Sequence, residues 1–277
     1  MRKRRSVFLY VLLILLGIIM IYPFFFMLSA TFKTNEEIFS GIGLIPKSFS
    51  FDAFINGWQG IGNNTFGTFL LNSFKIVIPT VLFTIISSVL VGYGFARFHF
   101  PLKKIFFGIM IGTLMLPQAV VIVPRYLLFR DFGWLDTYLP FYMPALFATF
   151  PFFTFMLVQF MRGIPRELDE SAIMDGCNSF TILTKILIPL LKPALFSIGI
   201  FQFVWTWNDY FNSLIYINSV DKFSISLGLQ LFMDSEGTIA WNEMMAMSFV
   251  TILPCVLIFF FAQRYFVEGI ATSGLKG

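Results

Sequence analysis

Long runs without a single charged residue dominate this sequence. Between Arg5 and Lys33 lie 27 uncharged residues, most of them apolar. A helix needs only about 20 such residues to cross ~30 Å of hydrocarbon at 1.5 Å per residue. Comparable windows fall at 76–96, 105–124, 137–161 and 244–263, and a sixth, about 193–217, contains one acid, Asp209. Lipid is the solvent that suits such a chain: hydrophobic residues make up 57% and charged residues 12%, about half the charge of a water-facing domain. These runs predict an all-α polytopic membrane protein with six transmembrane helices. The leading Arg2-Lys3-Arg4-Arg5 precedes an apolar run longer than the roughly 7–15 residues of a secretory signal, so it is read as an anchor.

Orientation follows from the distribution of Lys and Arg. With the N-terminus inside, the segments 1–6, 97–104, 162–192 and 264–277 hold thirteen basic residues, and the outer segments hold six. This bias predicts that both termini are cytoplasmic. The external segment 31–68 carries Gly, Pro, Asn and aromatic residues and reads as a folded or surface-hugging loop. The net charge of +4 is dispersed among apolar runs, which gives nucleic acid no continuous patch to bind. With one histidine, His99, and two cysteines, Cys177 and Cys255, neither a zinc site nor a disulfide is expected. His99 reads as interfacial, the Gly108/Gly112 pair as helix packing, and Pro79, Pro117, Pro144, Pro151 and Pro254 as sites of local bending.

The inner segment 162–192 carries more information than a plain connection needs. Pro165 suits the first position of a helix, and Glu167, Asp169 and Glu170 suit its first turns, where the macrodipole favours acids. Gly176 is able to take a left-handed backbone and stop that helix. Asn178 or Ser179 then caps a second helix, 180–188, ended by Pro189 and Pro193. The reading is a short helix, 165–175, in a helix–turn–helix too short and too charged to span a bilayer.

In this segment Glu170-Ser171-Ala172 is followed after three residues by Gly176 and, nine residues later, by Ile186-Leu187-Ile188-Pro189. The pattern resembles the cytoplasmic loop of binding-protein-dependent ABC importer permeases: Glu-Ala-Ala, three residues, Gly, nine residues, Ile-x-Leu-Pro. Ser171 replaces the first Ala and Ile188 the Leu; Asp175 before the glycine also matches. The stretch Trp205-Thr206-Trp207-Asn208-Asp209-Tyr210, the segment from Pro117 to Pro124 and the end from Gln263 to Gly269 resemble the maltose and multiple-sugar uptake type. The resemblance covers about 67–277.

It implies a type I ABC importer permease fold: residues 1–66 form the first span and external loop, and 67–264 form the permease core. The core spans would be about 69–96, 105–124, 137–161, 193–217 and 244–263, with a coupling loop at 162–192 and a cytoplasmic tail at 265–277. The resemblance also implies that Glu170, Ser171, Ala172, Asp175, Gly176, Ile186 and Pro189 dock an ATPase, Glu170 pairing with a basic residue there. The implied partners are a second homologous permease subunit, two ATPase subunits and an external solute-binding protein, which would face the outer loop 218–243 with its Asp221, Asp234, Glu236 and Glu243. The chain has no GxxxxGK[ST] phosphate cradle, so ATP and Mg would be bound by the partner ATPase, with no cofactor or enzymatic step here. The solute implied is a sugar, with an oligosaccharide favoured; a glycerol phosphate is the other possibility within the family.

On a continuous helix, Gln202, Trp205, Asn208, Asp209, Asn212 and Tyr216 fall within about 120° of arc at 100° per residue. An acid at mid-membrane costs roughly 2.5–3.5 kcal/mol on insertion scales, so this stripe faces protein or a wet cavity. Two readings stay open: a translocation face suited to a hydroxylated solute, or helix–helix contact with Asp209 near the outer interface. An ion-driven secondary transporter would instead show inverted repeats and coupled intramembrane acids. A non-transporting scaffold would leave the 170–189 spacing unexplained.

Overall fold

The computed structural model describes residues 2–41, 43–60, 62–234 and 240–274, with side chains for 8–41, 43–60, 62–233 and 240–262. In chain order the helices are α1 (Arg2–Ala30), α2 (Asn35–Ser40), α3 (Asp52–Gln59), α4 (Phe66–Arg97), α5 (Lys103–Thr113), α6 (Gln118–Asp131), α7 (Leu139–Leu146) and α8 (Pro151–Gly163). They continue with α9 (Glu167–Met174), α10 (Ser179–Thr181), a π-helical turn (Ile182–Leu187), α11 (Ile188–Leu190), α12 (Lys192–Trp207), α13 (Tyr210–Tyr216), α14 (Ile225–Asp234) and α15 (Trp241–Gly274). No strand occurs among the described residues.

Four segments are long and apolar enough to cross a membrane: Phe8–Ala30, Phe66–Arg97, Leu139–Gly163 and Trp241–Ala262. Two more form only as bent pairs: α5 with α6 at 102°, and Ser179–Leu190 with α12 at 77°. The expected 105–124 span is therefore not one straight helix. Pro117 is the N-cap of α6; its ring disfavours helical geometry at Leu116, and the chain turns there. The 137–161 window is also interrupted, between α7 and α8, where Ala148 has a φ of 55° and Pro151 opens α8.

The chain divides into two compact units. The first comprises 1–70 and 227–254. Its segment 31–68, expected to be a folded or surface-hugging external loop, is folded among the described residues. Thr34 caps α2 by accepting from the Glu37 amide at 3.3 Å. The Lys33 ammonium donates to the Gly43 carbonyl, and Phe32 stacks on Phe49 at 4.6 Å between ring centroids. The Asn242 amide donates to the Asn35 side chain at 3.1 Å. Gly228 lies so close to the Phe69 ring that a Cβ there would meet it at 2.4 Å.

The second unit comprises 71–226 and 255–277. Its main core joins Val89 and Tyr93 of α4, Phe153, Leu157 and Met161 of α8, Ala172 of α9, Leu183 and Leu187 of the π turn, and Ile198 of α12. Gly92 brings α4 close to Leu157, whose Cβ lies 3.2 Å from where a Gly92 side chain would start. A smaller cluster of Ile76, Phe129, Phe141, Tyr216 and Ile217 lies beside a cavity of about 380 Å³ lined by Lys75, Asp136 and Lys222. The expected tail 265–277 begins within α15, which runs to Gly274; the side chains of 263–277, including the family-like Gln263–Gly269 stretch, lie outside the described residues.

Candidate functional site: a clamped surface helix

The segment 164–190 builds up from its caps. Pro165 holds Ile164 extended, at φ −84° and ψ 127°, as expected for a residue before proline. With that extended backbone the Ile164 carbonyl starts no helical turn and accepts from Arg97 at 3.1 Å instead. The helix therefore begins at Glu167, two residues later than Pro165 as read from sequence. The Arg166 carbonyl accepts from the Asp169 amide at 2.9 Å and the Glu170 amide at 3.0 Å. Glu167, Asp169 and Glu170 occupy the first turn of α9, where they complement the positive end of the macrodipole.

The C-terminal end is a Schellman closure. Gly176 has a φ of 82°, its amide donates to the Ile173 carbonyl at 3.0 Å, and the Cys177 amide donates to the Ala172 carbonyl at 2.9 Å. Asp175 is the helical C-cap. Asn178, of the two candidates for the second cap, takes the role: its side-chain oxygen accepts from the Thr181 amide at 2.8 Å.

The second helix departs from expectation in its middle and end. It does not stop at Pro189. The turn Ile182–Leu187 is π-helical and α11 carries Pro189 past it. Proline removes a donor and crowds the carbonyl four residues before it, and a π turn shifts the backbone hydrogen bonds to accommodate such a residue. The stop comes at Leu191, before the 77° bend, and Pro193 sits in the first turn of α12, where its missing donor costs nothing.

One face of α9 is anchored. Ala172 is 5% exposed within the main core. Asp169 pairs with Arg97 at 2.6 Å, with side-chain exposures of 14% and 7%. Arg166 donates to the Ala96 carbonyl at 3.3 Å, and the Tyr93 hydroxyl donates to the Ser179 carbonyl at 3.1 Å. The other face is open. Glu170, Ser171 and Asp175 are exposed, and beside them Ile173, Met174 and Phe180 are 59%, 88% and 70% exposed. Ser171 uses its hydroxyl locally, donating to the Glu167 carbonyl at 2.8 Å. Ile186 packs on the core and Pro189 is exposed. The geometry is a rigid helix with a free acidic and apolar surface, suited to docking rather than to bond chemistry. The sequence reading did not foresee Arg97, Tyr93 and Ala96 as its anchors. The available signal was a lone guanidinium at the end of a long apolar helix, which needs a partner.

The stripe read on one helix is split. α12 ends at Trp207 and α13 begins at Tyr210, so Asn208 and Asp209 form a break. Asp209 is the N-cap of α13, accepting from the Asn212 amide at 3.1 Å and from the Asn212 side chain at 2.7 Å. Asn208 folds back on the Val204 carbonyl at 2.8 Å. Gln202 is 3% exposed and donates to Thr206 at 2.8 Å, whereas Trp205 is half exposed and packs on Phe152 and Phe153. Tyr216 is buried in the smaller cluster. Within α12, Gln202 and Trp205 thus differ in environment, one buried and one open. Arg125, not singled out from sequence, is the cation in electrostatic reach of Asp209.

A family model described as "Binding-protein-dependent transport system inner membrane component" matches residues 88–272. The chain is 31% identical over 265 residues to the arabinooligosaccharides transport system permease protein AraQ of Halalkalibacterium halodurans, covering 95% of this chain and 93% of that one. It is 31% identical over 277 residues to the sn-glycerol-3-phosphate transport system permease protein UgpE of Pectobacterium atrosepticum, covering 98% of each. Its fold matches a chain from the crystal structure of a bacterial ABC transporter involved in the import of the acidic polysaccharide alginate. That match has a TM-score of 0.85 at 22% identity and covers 95% of this chain and 97% of the other.

Proposed function

This chain belongs to the family of binding-protein-dependent transport system inner membrane components, and we propose from that membership that it forms half of the pathway of an ATP-driven sugar importer. The observation that carries the reading is the clamped α9, with Asp169 and Ala172 held inside and Glu170, Ile173 and Met174 left open. An exposed apolar patch rimmed by charge marks an interaction surface. Here the partner is an ATPase subunit that binds ATP and Mg, receives α9 in a cleft and meets Glu170 with a basic side chain. Two ATPase subunits, a second homologous permease and an external solute-binding protein complete the assembly.

The proposed topology has six spans, taking one from each bent pair, with both termini cytoplasmic in a bacterial cell membrane. The charge bias supports an inner position for 162–192, and the α5–α6 pair and the α12 half of the second pair would supply the two spans beyond the other four. Residues 1–66 would then contribute the first span and external loop, and 67–264 the core. Trp205, Asn208, Asp209 and Asn212 are proposed to line the pathway beside the partner permease, with Gln202 buried behind them.

A sugar is supported by the name of the arabinooligosaccharide relative. The glycerol phosphate relative, equally identical, supports a second reading, a phosphorylated polyol. Ligand binding to the cognate solute-binding protein separates the two. The coupling proposal is tested with Glu170→Lys in the assembled transporter. Breaking an interfacial charge pair costs roughly 2–5 kcal/mol, so the expected result is loss of ATPase co-purification and of uptake. A charge reversal at the partner basic residue is expected to restore both. Uptake insensitive to Glu170→Lys and to ATP depletion refutes the proposal.

A further inference from the structure

A second concave site lies beside the anchored face of α9, and the docking function does not use it. It encloses about 680 Å³ between the end of α4, the start of α5, the end of α8 and the 163–167 segment. Arg97, Lys103, Arg162, Arg166 and Glu167 contribute to its walls. Arg97 is neutralised by Asp169 at 2.6 Å. Among the described residues no carboxylate lies within ion-pair distance of Lys103, Arg162 or Arg166. Three cations therefore share one pocket with a single unengaged acid, Glu167. They are close enough that Arg162 and Arg166 both act electrostatically on Lys103.

Each cation is positioned while keeping donors free. Lys103 donates one hydrogen to the Phe98 carbonyl at 2.7 Å, and its ammonium carries two more. Arg166 uses one nitrogen on the Ala96 carbonyl. The Arg162 guanidinium lies over the Phe107 ring, 5.2 Å from its centroid, which orients the plane while leaving its N–H groups unused. Forked guanidinium donors and an ammonium suit the oxygens of a phosphate ester.

What surrounds the pocket identifies the ester. Phe98, Phe100, Leu102, Ile105 and Phe106, which flank Lys103 in the chain, are all exposed, and Lys103 and Arg162 sit at the ends of apolar helices. The polar site therefore adjoins exposed apolar side chains of the kind that suit acyl chains. Basic pockets at the ends of membrane helices hold anionic lipid headgroups. We propose that Lys103, Arg162 and Arg166 bind the phosphodiester headgroup of an anionic phospholipid, seating it against the base of the coupling helix.

The test uses the complete transporter with its partner subunits, exchanged into phosphatidylcholine bilayers containing a minor fraction of phosphatidylglycerol. Bound lipid is counted by native mass spectrometry after detergent release. Wild type is expected to retain phosphatidylglycerol over phosphatidylcholine. Each basic residue near a charged membrane surface contributes about a fivefold factor, so Lys103→Gln with Arg162→Gln is expected to reduce retention about 25-fold. The charge-keeping pair Lys103→Arg with Arg162→Lys retains it, and Lys192→Gln, outside the pocket, leaves it unchanged. Equal retention by wild type and the double glutamine variant overturns the proposal. So does displacement of the lipid by millimolar inorganic phosphate with no preference between headgroups, which makes the site one for free phosphate. Unchanged lipid with loss of the ATPase subunit also overturns it, assigning the cations to an acidic protein surface.

Discussion

Asp169→Asn tests how α9 is held. The substitution keeps the side-chain volume and removes the charge that neutralises Arg97. Arg97 is then left with 7% side-chain exposure and only neutral acceptors, the Ile164 carbonyl at 3.1 Å and the amide oxygen of the new side chain. Removing one partner of a buried pair costs roughly 3–5 kcal/mol, because the survivor is buried without compensation. The 14% exposure of Asp169 favours the lower end, about 3 kcal/mol. The cheapest escape for Arg97 is local: α9 lifts and the guanidinium reaches water. At 1.4 kcal/mol per decade, the opening equilibrium of α9 rises about 100-fold.

Hydrogen exchange of peptides covering 166–176, in the transporter reconstituted in nanodiscs, reads this directly. Protection is expected to fall about 100-fold there and to stay unchanged in the Leu139–Gly163 span. Arg97→Met combined with Asp169→Leu replaces the ion pair with apolar groups, a change that is often close to neutral, and is expected to recover most of the protection. Unchanged exchange in Asp169→Asn, or a double variant worse than the sum of the singles, would refute the reasoning that this pair clamps the helix.

Other positions give independent checks. Gly176→Ala forces a Cβ onto a φ of 82° and should cost about 1–2 kcal/mol, lowering ATPase co-purification, whereas Gly176→Asn is tolerated better. Asn178→Ala removes the cap to Thr181 and should cost about 1 kcal/mol, read as faster exchange over 179–183 with α8 unaffected. Gly228→Ala drives a methyl into the Phe69 ring; overpacking of about 1–3 kcal/mol should lower the midpoint of thermal unfolding. Lys222, with Ser219, holds the Asp136 carboxyl well below the usual carboxylate range. A depressed acid stabilises the fold above its ordinary pKa and loses that contribution as pH falls through the folded value. Unfolding followed by Trp134 fluorescence should be insensitive to this group between pH 7 and about 4 and weaken below that, a dependence absent in Asp136→Asn.

What was legible in the sequence is what local chemistry and lipid dictate. The charge-free runs mark apolar helices because a helix satisfies its whole backbone within one such run in hydrocarbon. The caps at Gly176 and Asn178 were legible because each is built from groups within a few residues. The split at Asn208-Asp209 was also encoded locally. Asn208 bonds back to Val204 and Asp209 forward to Asn212, which is how Asn and Asp compete with a helix. Counting 100° per residue across them assumed the continuity that they break. The anchors of α9 were not legible. Tyr93, Ala96 and Arg97 lie 67–86 residues from their partners, and no spacing rule pairs residues at that distance.

Those anchors have a mechanical consequence. Arg97 bonds to both Ile164 and Asp169, the Ala96 carbonyl accepts from Arg166, and Tyr93 bonds to Ser179. The residue before α9, the helix itself and the residue that opens the next helix are therefore all tied to one turn of α4. A force applied to the open face at Glu170 and Met174 meets no flexible linker before it reaches that turn, and α4 continues from there as an unbroken helix to Phe66. A solvated loop of the same length would absorb the displacement in its own dihedrals. Because the three ties converge, loosening one should not free the others, and their effects on coupling should be non-additive, as expected for contacts sharing one network. Tyr93→Phe combined with Asp169→Asn is the informative pair. If the tied turn transmits the motion, the double variant should uncouple ATP hydrolysis from uptake by more than the product of the single effects. Independent, multiplicative losses would mean that each tie only stabilises the loop.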